Sequence, residues 1–206
     1  MKNEYLCKKN MDKFIAHLQK LLASPKENSY LSFIESMKKS APKPPRVCAV
    51  MIFFFEQDNE IIFPFMLRPA YDGVHSGQIS FAGGGQEEQD LDLIQTAIRE
   101  TEEEIGVLIP RSQILGTLSD IYIPPSNSLV TPVVAYLTEK PTYKIDPKEV
   151  DQMLEISLKD LQNPENQSFQ DLTFPNKMKA KMPVYQIGEW KIWGATARLL
   201  SDLLAK

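Results

Sequence analysis

Several residue types that often signal chemistry are scarce in this chain. Only Cys7 and Cys48 occur in its 206 residues. They lie far apart, without metal-ligand spacing, so a disulfide scaffold and a thiolate metal site are both set aside. The chain reads as reduced and intracellular. There are two histidines, and His17, alone on a helical stretch, has no partner in sequence. No apolar run approaches the length needed to span a membrane, and the start MKNEYLCKKN is too polar for a signal peptide. Internal repeats and low-complexity tracts are missing too. A net charge of −4 provides no overall attraction to nucleic acid. These absences lead to the expectation of a cytoplasmic protein with neither nucleic acid nor membrane as partner. The length suits one domain with an added element.

What is present is concentrated between Gly83 and Val107, GGGQEEQDLDLIQTAIRETEEEIGV. Ile94, Ala97, Ile98, Thr101 and Ile105 fall on one side of a helix with a period of 3.6 residues and can pack against a sheet. Glu100, Glu103 and Glu104 stand at i, i+3 and i+4, on a shared neighbouring face, where like charges repel. A hard divalent cation with oxygen ligands is the simplest way to offset that repulsion. An isolated run of glutamates is ordinarily a solvated face, but three features argue otherwise here. Arg99 precedes the cluster and can orient a carboxylate through a bidentate contact. Gly106 follows as a C-cap. The glycine run lies upstream, where backbone can approach a ligand or offer a carbonyl to a metal.

The string Arg99-Glu100-Thr101-Glu102-Glu103-Glu104-Ile105-Gly106-Val107 resembles the Nudix signature R-E-[apolar]-x-E-E-x-G-[apolar], with Thr101 in the first apolar slot. Upstream, Met66-Leu67-Arg68 and His75-Ser76-Gly77-Gln78-Ile79-Ser80-Phe81-Ala82-Gly83-Gly84 resemble the added motif of the coenzyme A diphosphatase subgroup, L-L-T-x-R-[SA]-x3-R-x3-G-x3-F-P-G-G. Arg68, Gly77, Phe81, Gly83 and Gly84 match their slots. The motif's second arginine falls on Gly73, and its proline on Ala82. With Gly84 as first glycine of the box G-x5-E-x7-R, the interval to Arg99 is one residue longer and Asp90 takes the acidic slot.

The rest of the chain reads as scaffold. Met11 to Lys39 is expected to be helical, broken at Ser24-Pro25. Ala41 to Pro45 is a proline-rich linker, which gives an N-terminal helical extension over 1–40 and a catalytic domain over 41–206. Arg46–Phe55 and Ile61–Leu67 form a hairpin around Gln57-Asp58-Asn59-Glu60. Arg68 to Gly84 is a binding loop. Gln113–Ile123 gives strand, turn and strand, and Leu129–Leu137 a strand that Pro132 marks as an edge or bulge. Ile145–Leu158 runs from an acidic turn into a strand, Asn163–Lys181 is a surface hairpin or loop with Lys177, Lys179 and Lys181, and Tyr185–Trp193 is a short strand. Trp190–Lys206 closes the chain with a helix whose role reads as structural.

The resemblance implies a Nudix α/β/α sandwich, a mixed β-sheet between helices, acting as a Mg²⁺- or Mn²⁺-dependent hydrolase. It assigns Glu100 and Glu104 as metal ligands and Glu103 as a third ligand or the group that handles the proton of the attacking water. Arg99 orients the carboxylates, while Arg68, His75, Gln78 and a carbonyl at Gly83 or Gly84 bind substrate or metal. Glu149 and Glu155 are alternatives for a base beyond the box. The implied partner is a small molecule, coenzyme A or a related nucleoside diphosphate derivative such as ADP-ribose, with a homodimer possible. An inactive nucleotide-binding domain is the contrasting class.

Overall fold

The computed structural model describes residues 2–23, 43–70, 77–173 and 179–205. A first helix, α1 (Lys2–Ala23), precedes strands β1 (Arg46–Gln57), β2 (Glu60–Leu67), β3 (Ile79–Ser80) and β4 (Ala82–Gly85). Then come α2 (Leu93–Ile105), β5 (Ile114–Thr117), β6 (Ile121–Ile123), β7 (Ser128–Tyr136), β8 (Gln152–Ser157) and α3 (Leu158–Gln162). A hairpin of β9 (Gln167–Thr173) and β10 (Lys179–Ile187) leads to β11 (Trp190–Ile192) and the last helix, α4 (Gly194–Leu203).

Strand β1 organises the sheet. It pairs in parallel with β7 along Arg46–Phe54 and antiparallel with β4 from Cys48 to Met51. At its far end it turns back into β2 through Asp58 and Asn59, both at positive φ, as a two-residue hairpin demands. Strands β3 and β8 extend the sheet from β2, and β5 and β6 extend it from β7, so the eight-stranded sheet is mixed.

Alternation along β1 divides the interior in two. Cys48, Ile52 and Phe54 face a core shared with Phe14 and Leu18 of α1 and Leu199, Leu200 and Leu203 of α4. Ala49, Met51, Phe53 and Phe55 face the opposite core, with Ala97, Ile98 and Ile105 of α2. Helices therefore cover both faces, giving the α/β/α sandwich. Helix α1 is part of that packing, and Phe14 meets Phe54 edge-on at 5.2 Å between ring centres. Among the described residues no helix is long and apolar enough to cross a membrane.

Four expectations change in detail. Helix α1 begins before Met11, while the break expected at Ser24-Pro25 and the second helical stretch up to Lys39 lie outside the described residues. Trp190–Ile192 is strand, and α4 starts only at Gly194. Part of the expected loop is sheet: Ile79, Phe81 and Ala82 are buried, and β3 and β4 lie there. The glycines of β4 reflect close approach to β1 rather than loop character, since a Cβ on Gly83 would strike Ala49 O and Val50.

Pro132 sits in a central strand rather than at an edge. Its carbonyl accepts from Leu118 N at 2.9 Å, just past the end of β5. Backbone N and C=O of one residue point to the same side of a strand. The missing N–H therefore faces the break between β5 and β6, where the ladder is already interrupted.

Candidate active site

Helix α2 is held at both ends by its own sequence. The Asp92 carboxylate accepts from Gln95 N at 2.9 Å as N-cap, and Gly106 at φ 70° donates to Glu102 O at the C-cap. Ala97, Ile98, Thr101 and Ile105 are buried against the sheet, as the periodicity predicts. Thr101 fits this apolar face because its hydroxyl donates to Ala97 O at 2.6 Å, which leaves no unpaired donor.

The three glutamates share the groove face, as their spacing predicts, but lie at different depths. The side chain of Glu104 is 6% exposed, that of Glu100 16% and that of Glu103 59%. Helical drift over four residues carries Glu104 inward to the sheet and leaves Glu103 at the rim. Glu104 Oε2 accepts from Gly83 N at 2.7 Å, and its Oε1 lies 3.4 Å from Arg68 Nη2. Burial pushes the Glu104 carboxyl up to about 7, against the pull of Arg68 and of the Gly83 amide. Glu100 is raised as well, chiefly by burial.

Arg99 binds this cluster from behind. Its Nε and Nη2 grip the two oxygens of Asp90 at 3.1 and 3.0 Å. Nη1 reaches Glu103 at 2.9 Å and Glu100 at 3.1 Å, and Nη2 also donates to Gly85 O at 2.9 Å. Asp90, the residue in the acidic slot, is buried and further held by Thr96 Oγ1 and Glu87 N. The Arg99 hydrogen bonds hold its carboxyl down at about 2, and Arg99 is correspondingly raised. The guanidinium thus ties loop, glycine strand and helix together.

In front of the helix lies a groove of about 740 Å³, the size of a small-molecule site. Glu100, Glu103, Glu104, Gly83, Gly84, Arg68 and Gln78 all line it. His75 and Gly73 lie outside the described residues. The two proposed bases separate clearly. Glu149 lines the groove 3.6 Å from Arg68, whereas Glu155 lies outside it, bound to Lys140 Nζ at 2.7 Å and Tyr143 Oη at 3.0 Å. Of the three lysines, Lys177 is outside the described residues, and Lys181, exposed and opposite Asp171 on β9, does not line the groove.

Sequence reasoning missed the far wall. Arg46, Cys48, Ser126 and Ser128 line the groove, as do Ala195, Thr196 and Leu199 of α4, the helix read as purely structural. Arg46 and Ser128 are register partners at the starts of β1 and β7. Only a parallel pairing between segments distant in sequence brings them together, and no local pattern carries that signal.

The donor set suits a hard divalent cation. Glu100 and Glu104 are one helical turn apart, and a Cβ on Gly84 would overlap the Glu100 carboxylate, so glycine is what makes room for that group. Two acids raised by burial gain from a positive charge beside them. Among the described residues no three His, Cys, Asp or Glu side chains already converge on one point. Glu100 and Glu104, the two least exposed of the three, are the pair that could hold such an ion, completed by backbone or water oxygen.

Comparison with known proteins agrees with this geometry. A family model, the NUDIX domain, matches residues 44–176. The chain is similar to the mitochondrial coenzyme A diphosphatase NUDT8 of Mus musculus, 32% identical over 136 residues, or 65% of this chain and 64% of that protein. Its Homo sapiens counterpart is 32% identical over 127 residues, 61% of this chain and 53% of that protein. Each match spans less than two thirds of the relative's own length. In fold, the chain is similar to a MutT/nudix family protein from Enterococcus faecalis, with a TM-score of 0.57 at 12% identity, covering 91% of this chain and 71% of that one. A helix carrying glutamates at this spacing, an arginine bracing them and a glycine strand beneath, within a matched domain that covers most of the sequence, establish that the chain belongs to the Nudix family.

Proposed function

We propose that this protein is a Mg²⁺- or Mn²⁺-dependent diphosphatase that cleaves coenzyme A, or a derivative of it, to 3',5'-ADP and 4'-phosphopantetheine. The observation that carries this reading is a convergence. Arg68, Gln78, Phe81 and Gly83, all from the segment with the upstream motif, line the same groove as the three glutamates of the box. Two similar proteins are named coenzyme A diphosphatases, which supports the same substrate class.

In this reading Glu100 and Glu104 hold the cation, with a carbonyl of Gly83 or Gly84. Bound there, the cation supplies charge neutralisation at the diphosphate and lowers the pKa of a coordinated water. Arg68 presents its guanidinium fork to phosphate oxygens and shields Glu104 from them. Gln78 adds a contact at the groove wall. Arg99 acts through the others, fixing Glu100 and Glu103 so that the carboxylates need not reorganise as the reaction proceeds. Water forms a bond to one phosphorus while that phosphorus loses its bond to the bridging oxygen. The electron pair leaves with the departing phosphate, and the water's proton passes to a carboxylate. Glu149, in the groove beside Arg68, is that acceptor, while Glu103 stays bound to Arg99 at the rim. Glu155 has no part in it.

Mass spectrometry of products tests the reading directly. The protein is incubated with Mg²⁺ or Mn²⁺ and a panel of coenzyme A, acetyl-coenzyme A, ADP-ribose, NADH and dinucleoside polyphosphates, beside Glu104→Gln. Release of 3',5'-ADP from coenzyme A as the preferred reaction, lost in the variant, is the expected result. Preferred cleavage of ADP-ribose, the reading favoured by Gly73 in the second arginine slot, would overturn the substrate and keep the chemistry.

A further inference from the structure

The groove continues past the reacting groups. Successive residues of a strand face opposite sides, and β4 uses this at its end. A Cβ on Gly84 would overlap the Glu100 carboxylate, whereas a Cβ on Gly85 would overlap the Arg46 guanidinium. The bare glycine strand therefore separates an acidic half of the groove from a second half that faces α4. That second half has an apolar floor, with Val50, Phe81, Ile123 and Val130, and one cationic group, Arg46. Arg46 and Cys48, two residues apart on β1, share a face, and both line the groove.

Arg46 is fixed at its root as well. Its amide donates to Asn127 O at 2.9 Å, and it lies opposite Ser128 in the parallel pairing. Ser126, just before, lines the same wall. Arg68 is already engaged by Glu104 and Glu149, while among the described residues no carboxylate lies within 4.0 Å of Arg46. The Ser128 hydroxyl donates to Ser126 O at 3.2 Å and keeps its lone pairs, while Ser126 lines the same wall. A guanidinium fork in a groove that also holds these serines, beside an apolar floor, matches a phosphate ester attached to a flat or apolar body.

We propose that Arg46, with Ser126 and Ser128, forms a subsite for a second phosphate of the substrate, a monoester that is not cleaved. This rests on the diphosphatase reading for its substrate, but not for its test. The subsite selects nucleoside diphosphate derivatives that carry an extra phosphomonoester.

Isothermal titration calorimetry without metal compares 3',5'-ADP with 5'-AMP, ligands that differ by that phosphate alone. The wild-type protein is expected to bind 3',5'-ADP about tenfold or more tightly. Arg46→Ala and Arg46→Gln are expected to bring the two affinities together, and Ser128→Ala to narrow the gap. Arg46→Gln keeps length and polarity at the strand end if the alanine variant does not fold. Equal affinities in the wild type, or a preference that persists in both Arg46 variants, would overturn the proposal and leave Arg46 as a shield for Glu100. A preference that depends on Arg46 in a protein that cleaves no coenzyme A would sink the diphosphatase reading and keep the subsite. Cleavage of coenzyme A with no discrimination would do the reverse.

Discussion

Gly83 and Gly84 are neighbours in one strand, and replacing each by alanine should damage different things. At Gly83, φ is 154°, a conformation that side chains rarely adopt, and a new Cβ would overlap Ala49 O and the Val50 backbone. Neither can retreat without moving β1, the strand on which the sheet is built. Strain and overpacking together should cost about 3 kcal/mol or more. For a chain of this size that lowers the melting temperature by roughly 6–12 °C. At Gly84 the overlapped atoms belong to the Glu100 carboxylate, the free end of a flexible side chain. It can withdraw toward ordinary contact, a shift of about 1 Å, so stability should stay within about 1 kcal/mol of wild type. A displacement of that size in a group that holds the reacting centre costs about a hundredfold in turnover. Thermal unfolding together with kcat on coenzyme A in Mn²⁺ separates the two effects. Gly84→Ala with wild-type turnover would refute the role given to Glu100, and Gly83→Ala with an unchanged melting temperature would refute the close approach of β4 to β1.

Other outcomes follow from the same geometry. Mn²⁺ at about a hundred times its dissociation constant should stabilise the protein by about 2.7 kcal/mol, read as a melting shift of roughly 5–10 °C, and Glu100→Gln or Glu104→Gln should abolish the shift. Asp90, with its folded pKa held near 2 by Arg99 against an ordinary 3.8, stabilises the fold in full above about pH 4 and loses that contribution as pH falls through 2. A shift of that size is worth about 2 kcal/mol, so Asp90→Asn should melt a few degrees lower at pH 7 and converge on wild type near pH 2, as followed by circular dichroism. Glu149→Gln should lower kcat roughly 10²- to 10⁴-fold. Glu155→Gln should leave it alone, and equal effects of the two in steady-state kinetics would remove Glu149 from the reaction.

Much of this architecture could be read from local pattern. The α2 stripe, the Gly106 cap and the turn at Asp58-Asn59 are short-range features, set by helical period or by backbone conformation at one or two residues. That Arg68, Gln78, Gly83, Gly84 and the three box glutamates would lie near one another could be read from the short spacings within the two motifs, while His75 lies outside the described residues. What escaped depends on register between distant segments. Arg46 and Ser128 meet only because β1 and β7 run parallel, and Ala195 enters the groove only because α4 folds back across the sheet. Pro132 misled because an edge is the commonest place for a strand proline, while here a break between two neighbouring strands serves equally well.

The acidic cluster shows why spacing alone was not enough. Read on a bare helix, three glutamates repel and call for one shared cation. Packing splits them by depth: Glu104 is driven into the sheet, Glu100 sits at the groove, and Glu103 is pulled to the rim by Arg99. One half-buried guanidinium, engaged by Asp90, Gly85 O and two glutamates, already offsets part of the repulsion without a metal. The residual cost falls on the two acids whose pKa values burial raises, Glu100 and Glu104. All three carboxylates have a cationic partner, so a cation would gain least from Glu103, which is solvated, and most from the two that are withdrawn from water. Depth in the fold, rather than pairing with Arg99, therefore ranks Glu100 and Glu104 ahead of Glu103 as donors.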